Sequence, residues 1–219
     1  MNKTFDQTKS DQRPVRRTEA KEVRRSQLID ATIASIAKHG IRGTTMSTVT
    51  ETAGLSLGIV NFHFKSKQNL FEETLVFLAR EHHDEWTKAY AAAGDDPKAQ
   101  LLAIVDSHFT RRVCSRKKLA VWFAFYGEAA RRVVYRSLID DMDDDRFDRS
   151  KELCSKLAAD SDQPTMPPEI AAKTLEGLYD GLLLNILMYP TLFDRHEAKK
   201  QVHAYLASVF PKHFDMPEF

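Results

Sequence analysis

Residues 56–67, with the sequence SLGIVNFHFKSK, bring together side chains that could bind nucleic acid. Asn61 carries an amide that can pair bidentately with adenine in the major groove. Leu57 offers an apolar contact for a thymine methyl group, and Gly58 leaves room for a close approach of backbone to DNA. Such residues read bases when they lie at the start of an exposed helix, because that end enters the groove first.

Candidates for contacts with the phosphate backbone surround the base-reading candidates. Thr45, His63 and Lys67 can donate to phosphate oxygens, as can exposed N–H groups at helix N-termini. The predicted DNA-binding residues are Thr45, Ser56, Leu57, Gly58, Asn61, Phe62, His63 and Lys67. The alternative is three short helices packed inside a helical enzyme or carrier, whose basic N-terminus is incidental.

Helical periodicity and end signals place these residues in a helix-turn-helix. Apolar residues at positions 29, 33 and 36 define one face of a helix over residues 19–39, and Gly40 follows its last turn. Thr45 is expected to cap a second helix that ends at Gly54, where a sharp turn needs a positive φ. Ser56 is expected to cap a third helix and Ser66 a fourth, which runs from residue 67 to about residue 93.

The remainder of the chain also reads as helical. Helices are predicted over residues 98–113, 118–134, 135–160, 169–188 and 197–210, with the longest loop at 161–168. Strand-like alternation of useful length is absent from the sequence. We therefore predict an all-α fold of about nine helices. A disordered basic arm at 1–18 precedes a helix-turn-helix domain at 19–66. If that domain binds DNA, the remaining domain at 67–219 must bind an effector, provide dimerisation, or both.

Composition restricts the class of protein. The chain has 219 residues with 42% hydrophobic residues, enough for a core, and no run of about 20 apolar residues that could span a membrane. Neither a secretory signal nor a disulfide framework is visible, so we expect a cytoplasmic protein with Cys114 and Cys154 as buried free thiols. Residues 1–70 carry 12 Lys and Arg against 6 Asp and Glu, whereas the rest is acidic. A basic N-terminal third suits contact with a polyanion.

The helix-turn-helix segment resembles the Tet-repressor family of bacterial regulators. The resemblance covers about residues 22–82 and is carried by Gly40, Thr45, Ala53-Gly54, Ser56, Gly58 and the run FHFKSK at 62–67. It implies a dimeric transcriptional repressor that binds an inverted-repeat operator and is released by a small effector. Thr48 stands where the family usually has an acidic residue, so we expect a capping-box partner to be lost. His63 replaces a usual tyrosine, which could make one phosphate contact pH-dependent.

The resemblance also implies that a dimer forms through the last two helices. The sequence supports this implication with more apolar residues than a lone surface helix needs. These are Ile170, Leu175, Leu178, Leu182 and Ile186 in the first helix, and Val202, Tyr205, Leu206, Val209 and Phe210 in the second.

A weaker resemblance, to choline-responsive repressors of glycine betaine synthesis, extends over most of the chain. It rests on LIDA at 28–31, LLAIV at 101–105, AVWFAF at 120–125 and DGL at 180–182. It implies choline or a related quaternary ammonium as effector. A different lipophilic or aromatic ligand, or activation instead of repression, remains open.

The aromatic content is compatible with a quaternary ammonium site. Such a cation lacks N–H donors, so aromatic faces and an acid must hold it. The candidate effector residues are Phe109, Trp122, Phe125, Tyr126 and Asp180, with Glu128 and Glu176 as further possible counter-charges. An aromatic stripe at helical spacing is also typical of a core, and Asp180, in an otherwise apolar helix, could instead form an internal ion pair.

Other constellations favour neither a cofactor, a metal nor an enzyme. His82 and His83 are adjacent and would point about 100° apart on a helix, so we expect them on a solvated face. The acidic run at 140–145 lacks the spacing and turn glycine of a calcium loop. We find no Gly-rich phosphate loop, nucleophile elbow or paired catalytic motif.

Overall fold

The computed structural model describes residues 13–159 and 165–218, and side chains from residue 20 onwards. The described residues form ten α-helices and no strand, which confirms the all-α prediction with one helix more than expected. The helices are α1 (Arg13–Gly43), α2 (Met46–Ala53), α3 (Leu57–His63), α4 (Lys67–Ala92), α5 (Pro97–His108), α6 (Arg116–Gly127), α7 (Arg132–Ser137), α8 (Asp140–Ala159), α9 (Pro168–Met188) and α10 (Arg195–Val209). None of them is long and apolar enough to cross a membrane.

The chain divides into two compact units, Met1–Thr74 and Leu75–Phe219. The boundary lies inside α4 and not at its first residue. In the first unit, α1 packs on α2 and α2 on α3. The buried side chains there include Leu28, Ile29, Ile33, Ile36, Val49, Val60, Phe64 and Leu70. The apolar face that was predicted for the first helix therefore forms the core of this unit.

The first helix starts earlier than the sequence analysis expected. α1 already includes residues 13–18, which were assigned to the disordered arm, because a proline such as Pro14 is tolerated in the first turn of a helix. Residues 1–12 of the predicted arm lie outside the described residues. At the other end, Gly40 has a φ of 69° and interrupts α1, as its position after the apolar stripe predicted.

The N-terminus of α2 carries a complete capping box. The Thr45 hydroxyl accepts from the Thr48 backbone N–H at 3.1 Å, and the Thr48 hydroxyl accepts from the Thr45 N–H at 2.9 Å. The expectation that Thr48 loses this partner is wrong, because a threonine hydroxyl reaches the same N–H that an acid would. Gly54 then ends α2 in the left-handed conformation, with a φ of 65°. The turn into α3 is therefore fixed by backbone geometry that favours glycine.

The N-termini of α3 and α4 are capped differently. Ser66 accepts from the Asn69 N–H at 3.1 Å and caps α4 as predicted. Ser56 occupies the N-cap position of α3, but its side chain makes no capping hydrogen bond. Its exposed hydroxyl is left available to another partner.

In the second unit, α9 is the central helix and packs against α6, α8 and α10. The segment predicted as one helix over 118–134 is instead α6, a short 3₁₀ turn (Ala129–Arg131) and α7. α6 ends at Gly127, a poor helix former. The resulting change of direction allows α6 and α7 to contribute separately to the cavities described below.

Most residues proposed above for an interface between subunits are buried within the chain itself. Leu175, Leu182 and Ile186 of α9 pack in the core with Val202 and Leu206 of α10. The exposed side of α9 keeps Ile170 of that set and adds Gly177, Gly181, Leu184 and Met188. A helix that is apolar on most of its faces fills the core with one side and leaves a second apolar side exposed.

Candidate nucleic-acid interface and effector cavity

The helix α3 presents most of the predicted base-reading residues to solvent. Leu57 is 49% exposed and Phe62 is 73% exposed, and Gly58 and Asn61 are exposed as well. Val60 on the opposite face is fully buried and holds the helix against the first unit. Two exposed apolar side chains on one short helix are compatible with a surface that a partner covers.

Packing within the protein does not require a glycine at position 58. A Cβ added to Gly58 would meet the Ser56 hydroxyl oxygen at 3.8 Å, an ordinary contact distance. Gly58 also lacks the positive φ that favours glycine at Gly54. Neither packing nor backbone conformation within the chain therefore accounts for glycine at this position.

The ring of His63 is held neutral at the end of α3. Burial lowers its pKa first, and the positive charges of Lys21 and Arg25 lower it further, against a smaller opposing effect of Glu22. Its Nδ1 atom has no hydrogen-bond partner among the described residues. The lowered pKa favours the neutral ring, which has one N–H donor.

Lys67 is already engaged within the first unit. Its Nζ atom donates to the Ile41 carbonyl at 3.3 Å and lies 5.1 Å from the centre of the Phe71 ring. An ammonium has three donors, so this arrangement orients Lys67 and leaves donors for a phosphate. Exposed Thr45 carries the second hydroxyl of the predicted set, although its oxygen is used in the capping box.

A cavity of about 250 Å³ lies in the second unit. Residues of α4, α5, α6, α8 and α9 line it, together with one residue of the loop after α5. They are His82, His108, Val113, Leu119, Trp122, Phe123, Tyr126, Asp143, Asp144, Arg146, Phe147, Glu176, Tyr179, Asp180 and Leu183. We call this space the first cavity.

The first cavity brings together three of the five predicted effector residues, Trp122, Tyr126 and Asp180. Phe125 is fully buried and packs edge-on against Tyr135 instead, with ring centres 4.9 Å apart. Phe109 is buried in the core beside Tyr179 and does not line the cavity. The lining face of α6 is Leu119, Trp122, Phe123 and Tyr126, a spacing of i, i+3, i+4 and i+7, so Phe123 takes the place expected of Phe125.

The acidic residues of the first cavity are only partly neutralised. Arg146 is buried and donates to Glu176 at 2.5 Å and to Asp143 at 2.8 Å. Neither Asp144 nor Asp180 has a hydrogen bond or an ion pair among the described residues. Four carboxylates thus face one guanidinium, and the cavity carries an excess of negative charge.

Asp180 differs from its expected environment. Its side chain is partly exposed at the cavity and forms no ion pair within the described residues, so the structure favours neither a fully buried acid nor an internal pair. Partial burial raises its pKa first, and the neighbouring Glu176 raises it further, while Arg146 opposes both. A cation bound beside Asp180 would relieve this unfavourable charge.

Stacked rings form the uncharged part of the cavity lining. His108 stacks on Tyr179 with ring centres 3.7 Å apart, and His82 meets His108 edge-on at 4.3 Å. Burial lowers the pKa of His82 to about 3 and holds that of His108 well below its ordinary value. Both histidines are therefore neutral and do not repel a cation.

The sequence analysis missed several of these residues. His82 was expected on a solvated face, but its Nε2 atom is inaccessible to solvent and it lines the first cavity. Phe147 lies in the acidic helix α8, and Arg146 beside it was not recognised as the ion-pair partner of Glu176. The only available signal was an aromatic residue and an arginine interrupting a run of aspartates. Glu128, considered as a counter-charge, does not line the cavity.

Neither the cysteines nor the possible metal ligands of the described residues add a further candidate site. Cys114 and Cys154 are buried free thiols, and burial raises the pKa of Cys114 to about 11 and of Cys154 to about 12. Within the described part of the chain, no cluster of three or more His, Cys, Asp or Glu side chains could hold a metal ion.

Comparison with known proteins gives matches across both units. Residues 28–74 match the family described as bacterial regulatory proteins, tetR family, and residues 97–211 match the C-terminal region of BetI-type transcriptional repressors. The HTH-type transcriptional regulator BetI of Burkholderia thailandensis is 32% identical over 188 residues, which cover 85% of this chain and 93% of the relative.

Solved structures share the fold at lower identity. A transcriptional regulator from Saccharomonospora viridis in complex with choline has a TM-score of 0.71 at 17% identity, covering 83% of this chain and 94% of that one. The regulator FadR of Bacillus subtilis in complex with stearoyl-CoA has a TM-score of 0.69 at 15% identity, covering 84% and 97%. The same fold thus accommodates ligands of opposite charge, and the choice between them depends on the residues of each cavity.

Proposed function

This chain belongs to the tetR family of bacterial regulators, with a BetI-type C-terminal region, and is a transcriptional repressor rather than an enzyme; we propose that choline or a related quaternary ammonium compound is its effector. The observation that carries the proposal is the first cavity, where aromatic rings and unpaired carboxylates lie together. A quaternary ammonium has a diffuse charge and no N–H donor, so aromatic faces and nearby acids are the groups that bind it.

The size and charge of the first cavity favour this ligand class over an acyl-CoA. Pockets for drug-sized ligands measure roughly 300–1,000 Å³, so a cavity of about 250 Å³ suits a small molecule. The excess of carboxylates over Arg146 opposes a phosphate-bearing ligand. The choline complex of the Saccharomonospora viridis regulator shows that this fold can hold choline. Through that effector we propose control of genes for glycine betaine synthesis.

We propose that α3 reads the operator. Asn61 pairs with a base edge, Leu57 and Phe62 make apolar contacts, and Ser56, His63 and Lys67 bind the phosphate backbone together with Thr45. Asn61→Ala is expected to relax operator specificity by about 1–3 kcal/mol, whereas Lys67→Ala weakens binding to all DNA and flattens the salt dependence. Equal losses of operator and random DNA in Asn61→Ala would contradict its base-reading role.

A substitution of Gly58 can distinguish an effect on DNA binding from an effect on folding. Gly58→Ala removes the flexibility cost of a helical glycine, which is up to about 1 kcal/mol, and the added methyl group has room within the chain. We expect unchanged or higher thermal stability together with weaker operator binding. Gly127→Ala is the matched control, because a Cβ there meets no atom within 4 Å and the residue lies outside the first unit.

We further propose a dimer that uses the exposed face of α9. Gly177 and Gly181 would allow close approach of two helices, and Ile170, Leu184 and Met188 supply apolar surface. A dimer places two copies of α3 on an inverted repeat with half-sites about 34–36 Å apart or a related spacing. Effector binding would release the operator by changing the separation of the two α3 helices. Leu184→Glu should shift sedimentation towards monomer and weaken operator binding.

The first experiment measures fluorescence anisotropy of a duplex from the upstream region of the chain's own gene, at fixed salt, with and without choline. Tight binding that choline weakens, and that the neutral isostere dimethylbutanol leaves unchanged, supports both the repressor mechanism and the effector. Tight binding that choline leaves unchanged would contradict the effector proposal alone.

A further inference from the structure

A second cavity of about 380 Å³ adjoins the first cavity within the same unit. It is lined by Leu75, Phe125, Tyr126, Arg132, Tyr135, Arg136, Ile139, Asp140, Asp143, Asp144 and Asp180. Four of these residues also line the first cavity: Tyr126, Asp143, Asp144 and Asp180. We call these four residues the shared wall. The two cavities are neighbours separated by side chains, one of which is the half-exposed ring of Tyr126.

Unpaired negative charge is concentrated on the shared wall. Asp143 is neutralised by Arg146 at 2.8 Å, but Asp144 and Asp180 have no partner among the described residues. Glu176, which lines the first cavity but not the second, is also bound to Arg146. The position where a cation gains most is therefore at the shared wall, beside Tyr126, and not deep in the first cavity.

The rest of the second cavity has an apolar inner surface, and its two arginines, Arg132 and Arg136, are exposed. Leu75, Phe125, Tyr135 and Ile139 are buried and form its inner surface. Arg136 pairs with Asp140 at 3.2 Å, and both side chains are exposed. Arg132 donates to the backbone carbonyl of Tyr126 at 3.3 Å. An uncharged chain can occupy this space without leaving a buried charge unpaired.

We propose that the effector site spans both cavities and takes a quaternary ammonium whose chain extends into the second cavity from a cationic head at the shared wall. This inference rests on the proposed function, since it assigns a ligand shape to the same site. Choline fills only the head position. The combined space reaches the range of pockets for larger ligands, roughly 300–1,000 Å³, which a trimethylammonium head alone does not need.

The test is a homologous series of ethyl-, butyl- and hexyltrimethylammonium, measured by isothermal titration calorimetry on the full chain beside choline. The trimethylammonium head is the same in every compound, so differences in affinity report the contribution of the alkyl chain. Burial of one methylene contributes enough to raise affinity about threefold, and we expect hexyltrimethylammonium to bind at least about tenfold more tightly than the ethyl compound. Affinity that stays flat or falls with chain length would overturn the proposal.

Two substitutions of Ile139 test whether the alkyl chain of the ligand lies in the second cavity. Ile139→Phe narrows the second cavity and should reduce the ratio of the affinities for the hexyl and ethyl compounds. Ile139→Ala enlarges the second cavity and should not reduce that ratio. Thermal melting of both variants checks folding, and the series on the unsubstituted chain remains decisive if either variant fails to fold. If affinity depends on alkyl chain length in Ile139→Phe as it does in the unsubstituted protein, the alkyl chain does not lie in the second cavity and the proposal is overturned.

The failures of the two proposals are distinguishable. Binding of choline without any dependence on chain length overturns only the extended site. Absence of binding for choline and for every member of the series overturns the quaternary ammonium effector, and the extended site with it.

Discussion

Replacing Asp180 by asparagine removes one of the two unpaired carboxylates of the first cavity and almost no volume. If the effector is a cation held beside this residue, Asp180→Asn should weaken choline binding while leaving the aromatic faces in place. The change is isosteric, so the loss reports charge rather than shape. The matched control is Asp141→Asn on α8, which is exposed and lines neither cavity.

The expected magnitude follows from distance and exposure. We take the choline nitrogen at about 6 Å from the carboxylate and an effective dielectric of about 40, between about 20 for a protein surface and about 80 for water, because the side chain of Asp180 is exposed. The resulting interaction is about 1.4 kcal/mol, which corresponds to about tenfold in Kd.

The direction of the pH dependence follows from the raised pKa of Asp180. A raised pKa means that the folded chain binds this proton more tightly than the unfolded chain, so ionised Asp180 lowers stability above its folded pKa. Asp180→Asn should therefore melt at the same or a higher temperature near neutral pH. Choline affinity of the unsubstituted chain should fall as pH drops through this raised pKa, and the Asn variant should lose that dependence.

Isothermal titration calorimetry with choline at fixed salt, beside thermal melting, measures both effects. A loss below about twofold, or an equal loss in Asp141→Asn, would refute the placement of the cation beside Asp180. A loss accompanied by a lower melting temperature would indicate a structural defect and refute the separation of binding from stability.

Three further outcomes test the fold and the interface. Thr48→Val removes a hydroxyl of the capping box of α2 and should lower the free energy of unfolding, measured by chemical denaturation, by about 1 kcal/mol. The control Thr52→Val, on the exposed side of the same helix, should lower it less. Equal losses in the two variants would contradict the role of the capping box. Asn61→Leu should lose operator preference in competition anisotropy yet retain salt-dependent binding to random duplexes, and retained preference would contradict base reading. His82 and His108 stay neutral in the folded chain but take up protons when it unfolds. The free energy of unfolding should therefore fall below about pH 6.5, by roughly 1.4 kcal/mol per pH unit for each histidine. A free energy of unfolding that stays constant between pH 6.5 and pH 5 would show that both histidines titrate normally.

The helix-turn-helix was predictable because its signals are local. A glycine after a periodic stripe and a threonine or serine at a cap depend on a few neighbouring residues, and Gly40, Thr45, Gly54 and Ser66 all act as expected. The complete capping box at Thr48 was missed because the expectation considered the usual residue at that position and not the hydrogen-bonding capacity of a hydroxyl.

The cavity could be predicted only in part, because it depends on long-range packing. Trp122, Tyr126 and Asp180 were found from residue type and helical spacing. The rotation of α6 about its axis, which exchanges Phe125 for Phe123, is decided by how the helix packs against α9 and is invisible in the spacing alone. His82 and Phe147 come from helices whose neighbouring residues are charged, so composition indicated a solvated face where the fold builds a lining.

The capping box made from two hydroxyl groups has an electrostatic consequence for α2. When a carboxylate closes such a box, its charge compensates the partial positive charge at the start of the helix. Thr48 closes it without any charge, so the N-terminus of α2 keeps its attraction for anions. A single substitution to glutamate would preserve the cap yet add a negative charge at this end of the first unit. Thr48→Glu is therefore expected to weaken the attraction of this helix end for anions while the cap of α2 is kept.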